Sequence, residues 1–281
     1  MATDTKDNWS SEAYQNAASF VPKLATKVMQ WLDPQKDDVI LDVGCGDGVL
    51  DVQIGQILSQ GTGRLHGTDS SPAMIAAANA AAASAGLSNQ CTFEVLDATT
   101  GAATASSQAQ PQIFNKAFSN AALHWILRAP ATRADVFRSV RDAVAPNGTF
   151  AFEMGGLGNV AEMRAALLSA VARRVGLERA AAADPWFFPD ESWITTLMEE
   201  TVGGWKVERV EREWRPTVAE RAGGVEGWVR LMGANWFDVV PEGEREECIK
   251  EVVDVLETVC AQHGGGYMIS YVRLRVLARR V

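Results

Sequence analysis

Two hydrophobic periods alternate along the first half of the chain. Runs that are apolar at most positions stand at Val39–Val43, Arg64–Thr68, Cys91–Leu96, Ile113–Ser119 and Gly148–Met154, separated by helix-length segments near 48–59, 71–85 and 130–145. Such runs, spaced by helices, predict strands of a parallel sheet covered on both faces. Repeated strand–helix–strand units imply an α/β fold built on an open, doubly wound, mostly parallel sheet. Ser71-Pro72 has the N-cap and first-turn proline arrangement that starts a helix. Pro146-Asn147-Gly148 predicts the end of the 130–145 helix and a turn into the fifth strand. Residues 101–111, without periodicity, read as a loop.

Upstream, the spacing of Ala17, Phe20, Val21, Leu24, Val28 and Leu32 predicts an N-terminal helix over 14–32. After about residue 155 the pattern becomes irregular. Helices are predicted near 159–175, 190–201, 219–236 and 243–262, with strands at Trp205–Arg212 and Tyr267–Leu277. Six of the nine tryptophans fall between Trp186 and Trp236, a density that fits either a substrate cap or a packed helical subdomain without ligand contact. The expected division is a helical cover over 1–35, an α/β core over 36–155, and a helical cap with the last strands over 156–281.

Composition narrows the classes. With 281 residues, 47% apolar and 22% charged, the chain can form one large domain or a domain with a lid. A net charge of −9 argues against a nucleic-acid partner, and Arg128, Arg133, Arg138 and Arg141 read as a solvated helix face. Four cysteines and three histidines show no metal-ligand spacing, so no metal and no disulfide framework are expected. The polar start, Met1 to Asn8, lacks the apolar core of a signal peptide, and a reducing, cytoplasmic setting is expected. Ser70–Phe93, the longest uncharged run, contains Pro72, Asn79, Ser84 and Asn89 and is rich in alanine, which suits a helix and loop better than a membrane span.

The chemistry concentrates after the first strand, in Leu41-Asp42-Val43-Gly44-Cys45-Gly46-Asp47-Gly48. A glycine turn between strand and helix lets a ligand lie against the backbone. Val49 occupies the position that would complete a dinucleotide G-x-G-x-x-G, and Asp42 and Asp47 would repel a pyrophosphate. A nicotinamide dehydrogenase is therefore disfavoured, and a cationic or zwitterionic ligand fits better. Asp69 ends the second strand, where a carboxylate can accept hydrogen bonds from both hydroxyls of a ribose. Asp97, after the third strand, could receive the exocyclic amine of adenine.

In this order the motifs resemble those of the class I S-adenosylmethionine-dependent methyltransferases: L-D-V-G-C-G-D-G at 41–48, G-T-D-S-S at 67–71, L-D-A at 96–98 and F-S-N-A-A-L-H-W-I at 118–126. The resemblance covers roughly residues 9–155. It implies a Rossmann-like, seven-stranded sheet and S-adenosylmethionine as cofactor, leaving as S-adenosylhomocysteine. Asp42, Gly44, Cys45 and Gly46 would line its methionine end, Asp69 the ribose, Asp97 and Ala98 the adenine, and Asn120 and Ala121 the floor near the sulfonium. Ser70 and Met74 would flank the adenosine.

A nearer likeness is to the small-molecule enzymes around trans-aconitate methyltransferase and the insect juvenile hormone acid methyltransferases, carried by Trp9-x4-Tyr14 and by Leu123-His124-Trp125. It implies Tyr14 near the methionine carboxylate and Gln15 facing substrate. The N-terminal helix offers only Lys23 and Lys27 where a tricarboxylate would want arginines. Trp186, Phe188 and Trp125 suggest a more apolar acceptor. The leading expectation is carboxylate O-methylation of a small, partly apolar metabolite of secondary metabolism by a monomer or homodimer. Alternatives are O-, N- or S-methylation with His124 as base, and a catalytically silent cofactor-binding regulatory protein. His124 could also be a packed histidine that orients a loop, while His66 and His263 read as structural.

Overall fold

The computed structural model describes residues 25–100, 114–219 and 223–281. Its seven strands are β1 (Val39–Val43), β2 (Arg64–Asp69), β3 (Cys91–Val95), β4 (Phe114–Asn120), β5 (Val144–Gly155), β6 (Trp205–Val218) and β7 (Met268–Arg280). They form one sheet in the order β3-β2-β1-β4-β5-β7-β6. β1 to β5 run parallel, and β7 enters antiparallel between β5 and β6. The expected doubly wound, mostly parallel, seven-stranded sheet is what the chain forms.

Adjacent residues of β1 point to opposite faces, and both faces are dry. Ile40 packs with Val28 and Leu32 of α1 (Thr26–Leu32) and with Ile54 and Leu58 of α2 (Val49–Leu58). Leu41 and Val43 pack instead with Val136, Phe137 and Val140 of α5 (Arg133–Ala143) and with Phe150 and Phe152 of β5. A strand buried on both faces reads as an uninterrupted apolar run, which is why period alone located it. α3 (Pro72–Ser84) begins as its sequence predicts: the Ser71 hydroxyl accepts the Met74 N–H at 3.2 Å and Pro72 fills the first turn.

The remaining helices are α4 (Leu123–Ile126), α6 (Ala161–Val175), α7 (Leu177–Ala182), α8 (Glu191–Thr196), α9 (Gly224–Met232), α10 (Ala234–Asp238) and α11 (Arg245–Cys260). α6, α9, α10 and α11 enclose a second core containing Trp186, Trp228 and Trp236 above the end of the sheet. The connection from β6 to β7 carries α9 to α11, so the cap is threaded into the sheet rather than appended to it.

Several expectations need correction. β5 starts at Val144, ahead of Pro146-Asn147-Gly148, and the pairing with β4 shifts register between Phe114 and Lys116. The triplet is thus a bulge within the strand: Pro146 has no N–H to give and Asn147 sits at φ 65°, a left-handed conformation asparagine tolerates. The 219–236 helix is interrupted at Gly233, and α8 continues as a wider turn over Leu197–Val202 that ends at Gly203. The arginines after residue 127 are not all solvated. The Arg133 guanidinium lies 3.4 Å over the Phe187 ring and Nε donates to the Leu127 carbonyl, while Arg141 donates to the carbonyls of Val202 and Gly203. Arg133 ties the cap linker to the core, and Arg141 ties α5 to the segment after α8.

Candidate active site

At the carboxyl ends of β1 to β4 a cleft, partly open to solvent, is walled by the glycine turn and the strand-end loops. The turn is pinned to β2, the Gly44 and Cys45 N–H groups donating to the Thr68 carbonyl at 2.7 and 3.0 Å. Its three glycines, all at positive φ, serve different ends. A Cβ on Gly44 would lie 2.2 Å from the Ala122 Cβ, and one on Gly48 would lie 2.9 Å from the Ala78 Cβ. One on Gly46 would meet nothing within 4 Å, because that residue faces the cleft. Two glycines therefore let chain meet chain, and one leaves room for a ligand. Gly44→Ala is expected to cost about 2–5 kcal/mol through overlap and backbone strain, and Gly46→Ala only about 1–2 kcal/mol of strain; urea unfolding compares them.

Asp69 closes the turn from the other side. Its Oδ2 accepts the Gly46 N–H at 3.1 Å and its Oδ1 the Ser71 N–H at 2.9 Å. Asp97 accepts the Thr99 N–H and hydroxyl at 2.9 and 2.7 Å and opens the short turn at Ala98. Cys45, Ser70, Met74, Asp97, Ala98, Asn120 and Ala121 all reach the cleft. Asn120 Oδ1 is a buried acceptor with no hydrogen-bond partner among the described residues. Ala121 holds φ 58°, strained for a residue with a Cβ, while its N–H donates to the Glu153 carbonyl at 2.8 Å. Tyr14 and Gln15 lie outside the described residues.

Ala121 and Trp125 also border a second, smaller cavity lined by cap residues. The expected His124, Trp125, Trp186 and Phe188 all line it. Trp186 stacks on Phe188 at 6.0 Å and meets Trp125 and Trp228 edge-on or tilted at 5.5 and 5.9 Å. The Phe187 N–H donates to the His124 carbonyl at 2.9 Å, which joins the cap linker to α4. Buried His124 accepts the Gly155 N–H on Nδ1 at 3.3 Å, and burial together with the Arg273 charge holds its ring well below the usual histidine range. The ring is neutral, and the bond to Nδ1 assigns its hydrogen to Nε2.

Residues 34–177 match a family of methyltransferase domains. An uncharacterized methyltransferase of Schizosaccharomyces pombe is 34% identical over 98% of this chain and 99% of its own. The chain belongs to the S-adenosylmethionine-dependent methyltransferases. Among solved structures, the YcgJ protein of Bacillus subtilis aligns with a TM-score of 0.58 at 14% identity, over 91% of this chain and 97% of its own. The geranyl diphosphate C-methyltransferase of Streptomyces coelicolor aligns at 0.52 and 13%, over 92% of this chain and 78% of its own. At such identity these two show the shared fold alone.

In this methyltransferase Asp42 is not on the cleft wall. It lies buried behind the glycine turn, beside Asp51 of α2, and no cation among the described residues is paired with either carboxyl. Burial raises both carboxyls, Asp42 well above the usual range and Asp51 to about 7, so the pair keeps a proton that the unfolded chain would release. The folded value of Asp51 lies above its unfolded 3.8, so this site stabilises most in acid and loses its contribution as pH rises towards 7. Asp51→Asn is expected to raise the melting temperature at pH 8 and to flatten its dependence on pH between about 5 and 7.

Sequence reading overlooked Asn159, Trp228, Tyr271 and Arg273, all on the second cavity of the methyltransferase. One signal was available: Tyr271-Val272-Arg273-Leu274-Arg275 places two cations two residues apart within an apolar strand, on one face.

Proposed function

We propose that the protein takes S-adenosylmethionine in the glycine-turn cleft and transfers its methyl group to a carboxylate oxygen of a small, partly apolar metabolite held in the aromatic cavity. The observation that carries this reading is the meeting of the two spaces at Ala121 and Trp125. The cleft suits the cofactor chemically. Its side-chain polar groups include Asp47, Asp69, Asp97 and the unpartnered Asn120 Oδ1, acceptors for a molecule rich in hydroxyls, amines and positive charge. Asp69 would hold the ribose, Asp97 and Ala98 the adenine between Ser70 and Met74, and Gly44, Cys45 and Gly46 the methionine end. Asn120 and Ala121 would form the floor near the sulfonium.

When bound, the cofactor supplies a methyl group whose bond to sulfur breaks as the bond to the acceptor oxygen forms, its electron pair staying on sulfur. An ionised carboxylate needs no base, so the protein's part is to align the acceptor and exclude water. His124 suits that role as a hydrogen-bond donor. A base would need a free nitrogen lone pair, and His124 has committed Nδ1 to Gly155 and stands beside a cation. An apolar acid also fits the resemblance to juvenile hormone acid methyltransferases better than to trans-aconitate methyltransferase.

Calorimetry with S-adenosylhomocysteine, followed by transfer of a labelled methyl group to a panel of carboxylic acids, tests the reading. Binding and an ester that releases labelled methanol in alkali are expected. Absence of binding would refute the cofactor assignment, and an alkali-stable product would move the acceptor to another atom. Binding with no transfer to any metabolite in an extract would favour a silent cofactor-binding protein.

A further inference from the structure

The charge around Glu153 is unevenly shared. Its Oε1 accepts Arg273 Nε and Arg215 Nη2, each at 3.0 Å, and its Oε2 accepts Arg275 Nε at 2.5 Å. Glu211 and Glu213 reach Arg275 from the more exposed side, at 2.7 and 2.5 Å. Arg273 has no ion pair beyond Glu153 among the described residues. Its side chain is only 5% exposed, yet Nη2 has no hydrogen-bond partner among the described residues, and the residue lines the aromatic cavity. An unpaired guanidinium N–H at such depth is costly, so the group calls for a partner, and it lies on a cavity that can supply one.

Two further donor side chains line the same cavity. Asn159 is buried, and its Oδ1 accepts the Val272 N–H at 2.8 Å, which fixes the amide and leaves its NH₂ for the cavity it lines. His124 presents Nε2–H. Gly155, opposite Arg273 in the β5–β7 pairing, makes this crowding possible: a Cβ there would lie 2.4 Å from the Phe188 ring and 2.8 Å from Asn159 Nδ2. Among the described residues no carboxylate lines the cavity, and its remaining walls are largely aromatic.

We infer that Arg273, Asn159 and His124 form an anion-binding end of the aromatic cavity, which takes the carboxylate of an aryl or branched-alkyl acid and rejects its neutral and cationic counterparts. The inference rests on the methyltransferase reading only in calling that acid the acceptor substrate. An amine would meet the Arg273 charge, and a neutral amide would leave Nη2 without a charged partner. A planar carboxylate can bond the guanidinium and reach a second donor at once.

Protein saturated with S-adenosylhomocysteine is titrated with 3-phenylpropanoate, 3-phenylpropanamide and 3-phenylpropylammonium, following tryptophan fluorescence, since Trp125, Trp186 and Trp228 border the cavity. The carboxylate is expected to bind about 10- to 100-fold more tightly than the amide, the range for a charge-assisted hydrogen bond, and the ammonium least. Arg273→Met should erase that preference, and Arg273→Lys should retain part of it. S-adenosylhomocysteine affinity should change less than about twofold in both. Equal or tighter binding of the amide or ammonium to the wild type, or no carboxylate binding below about 10 mM, would overturn the inference. The wild-type comparison decides the matter even where Arg273→Met fails to fold. Failure to bind S-adenosylhomocysteine itself would be seen separately, before any acid is added.

Discussion

Replacing Glu153 with Gln is expected to destabilise the protein by about 3–5 kcal/mol, the cost of leaving buried cations without their shared anion. Glu153 is 1% exposed and lies on β5, paired with Arg275 of β7, with Arg273 two residues away on the same face and Arg215 reaching across from β6. Burial alone would raise its carboxyl, but the charges of Arg273, Arg215 and Arg275 outweigh it and hold Glu153 below the usual glutamate range. A folded value below the unfolded one means a contribution complete above pH about 4.5 and lost as pH falls through the folded value. Urea unfolding of the wild type and Glu153→Gln should therefore differ most near neutral pH and converge in acid. A difference below about 1 kcal/mol at pH 7 would show that the arginines are satisfied without it. The replacement should also loosen the aromatic cavity, since Arg273 loses the charged contact that fixes its Nε.

The parts legible from sequence share one physical cause. β1 is buried on both faces, one of them by α5 far along the chain, and its uninterrupted apolar run agrees with that tertiary burial. The Gly44–Gly48 turn was legible because left-handed backbone leaves few residue choices, although only Gly46 of the three faces open space. The cleft was visible because its groups stand immediately after strands in chain order. The second cavity is assembled differently: Ala121 and His124 follow β4, Asn159 follows β5, Trp186 and Phe188 belong to the cap linker, and Arg273 sits in the last strand. No local window contains that set. Arg273 acquires meaning only when β7 inserts beside β5, and Asp42 loses its place on the wall only when Asp51 is seen beneath it. The bulge at Pro146-Asn147-Gly148 was misread as a helix-ending turn because turn chemistry is the same in both settings.

Asp69→Ala is expected to weaken S-adenosylhomocysteine binding by about 100-fold or more while leaving the fold intact. Two effects add. The carboxylate holds the N–H of Gly46 at 3.1 Å and that of Ser71 at 2.9 Å, so it fixes both the ligand-facing glycine and the entry to α3. Each oxygen has lone-pair capacity beyond those bonds, and the carboxylate faces the cleft where ribose hydroxyls would donate. Hydrogen bonds to a charged acceptor are worth about 1.5–3 kcal/mol each, so losing two exceeds two decades in affinity. Stability should fall little, because the released N–H groups border an open cleft that water can enter. Asp69→Asn separates the two contributions: its amide oxygen can keep one backbone contact, but its NH₂ cannot accept from a hydroxyl, so an intermediate loss is expected. Calorimetry on both variants, with thermal unfolding as the control for folding, checks the order wild type, Asn, Ala. Unchanged affinity in Asp69→Ala would place the ribose elsewhere in the cleft.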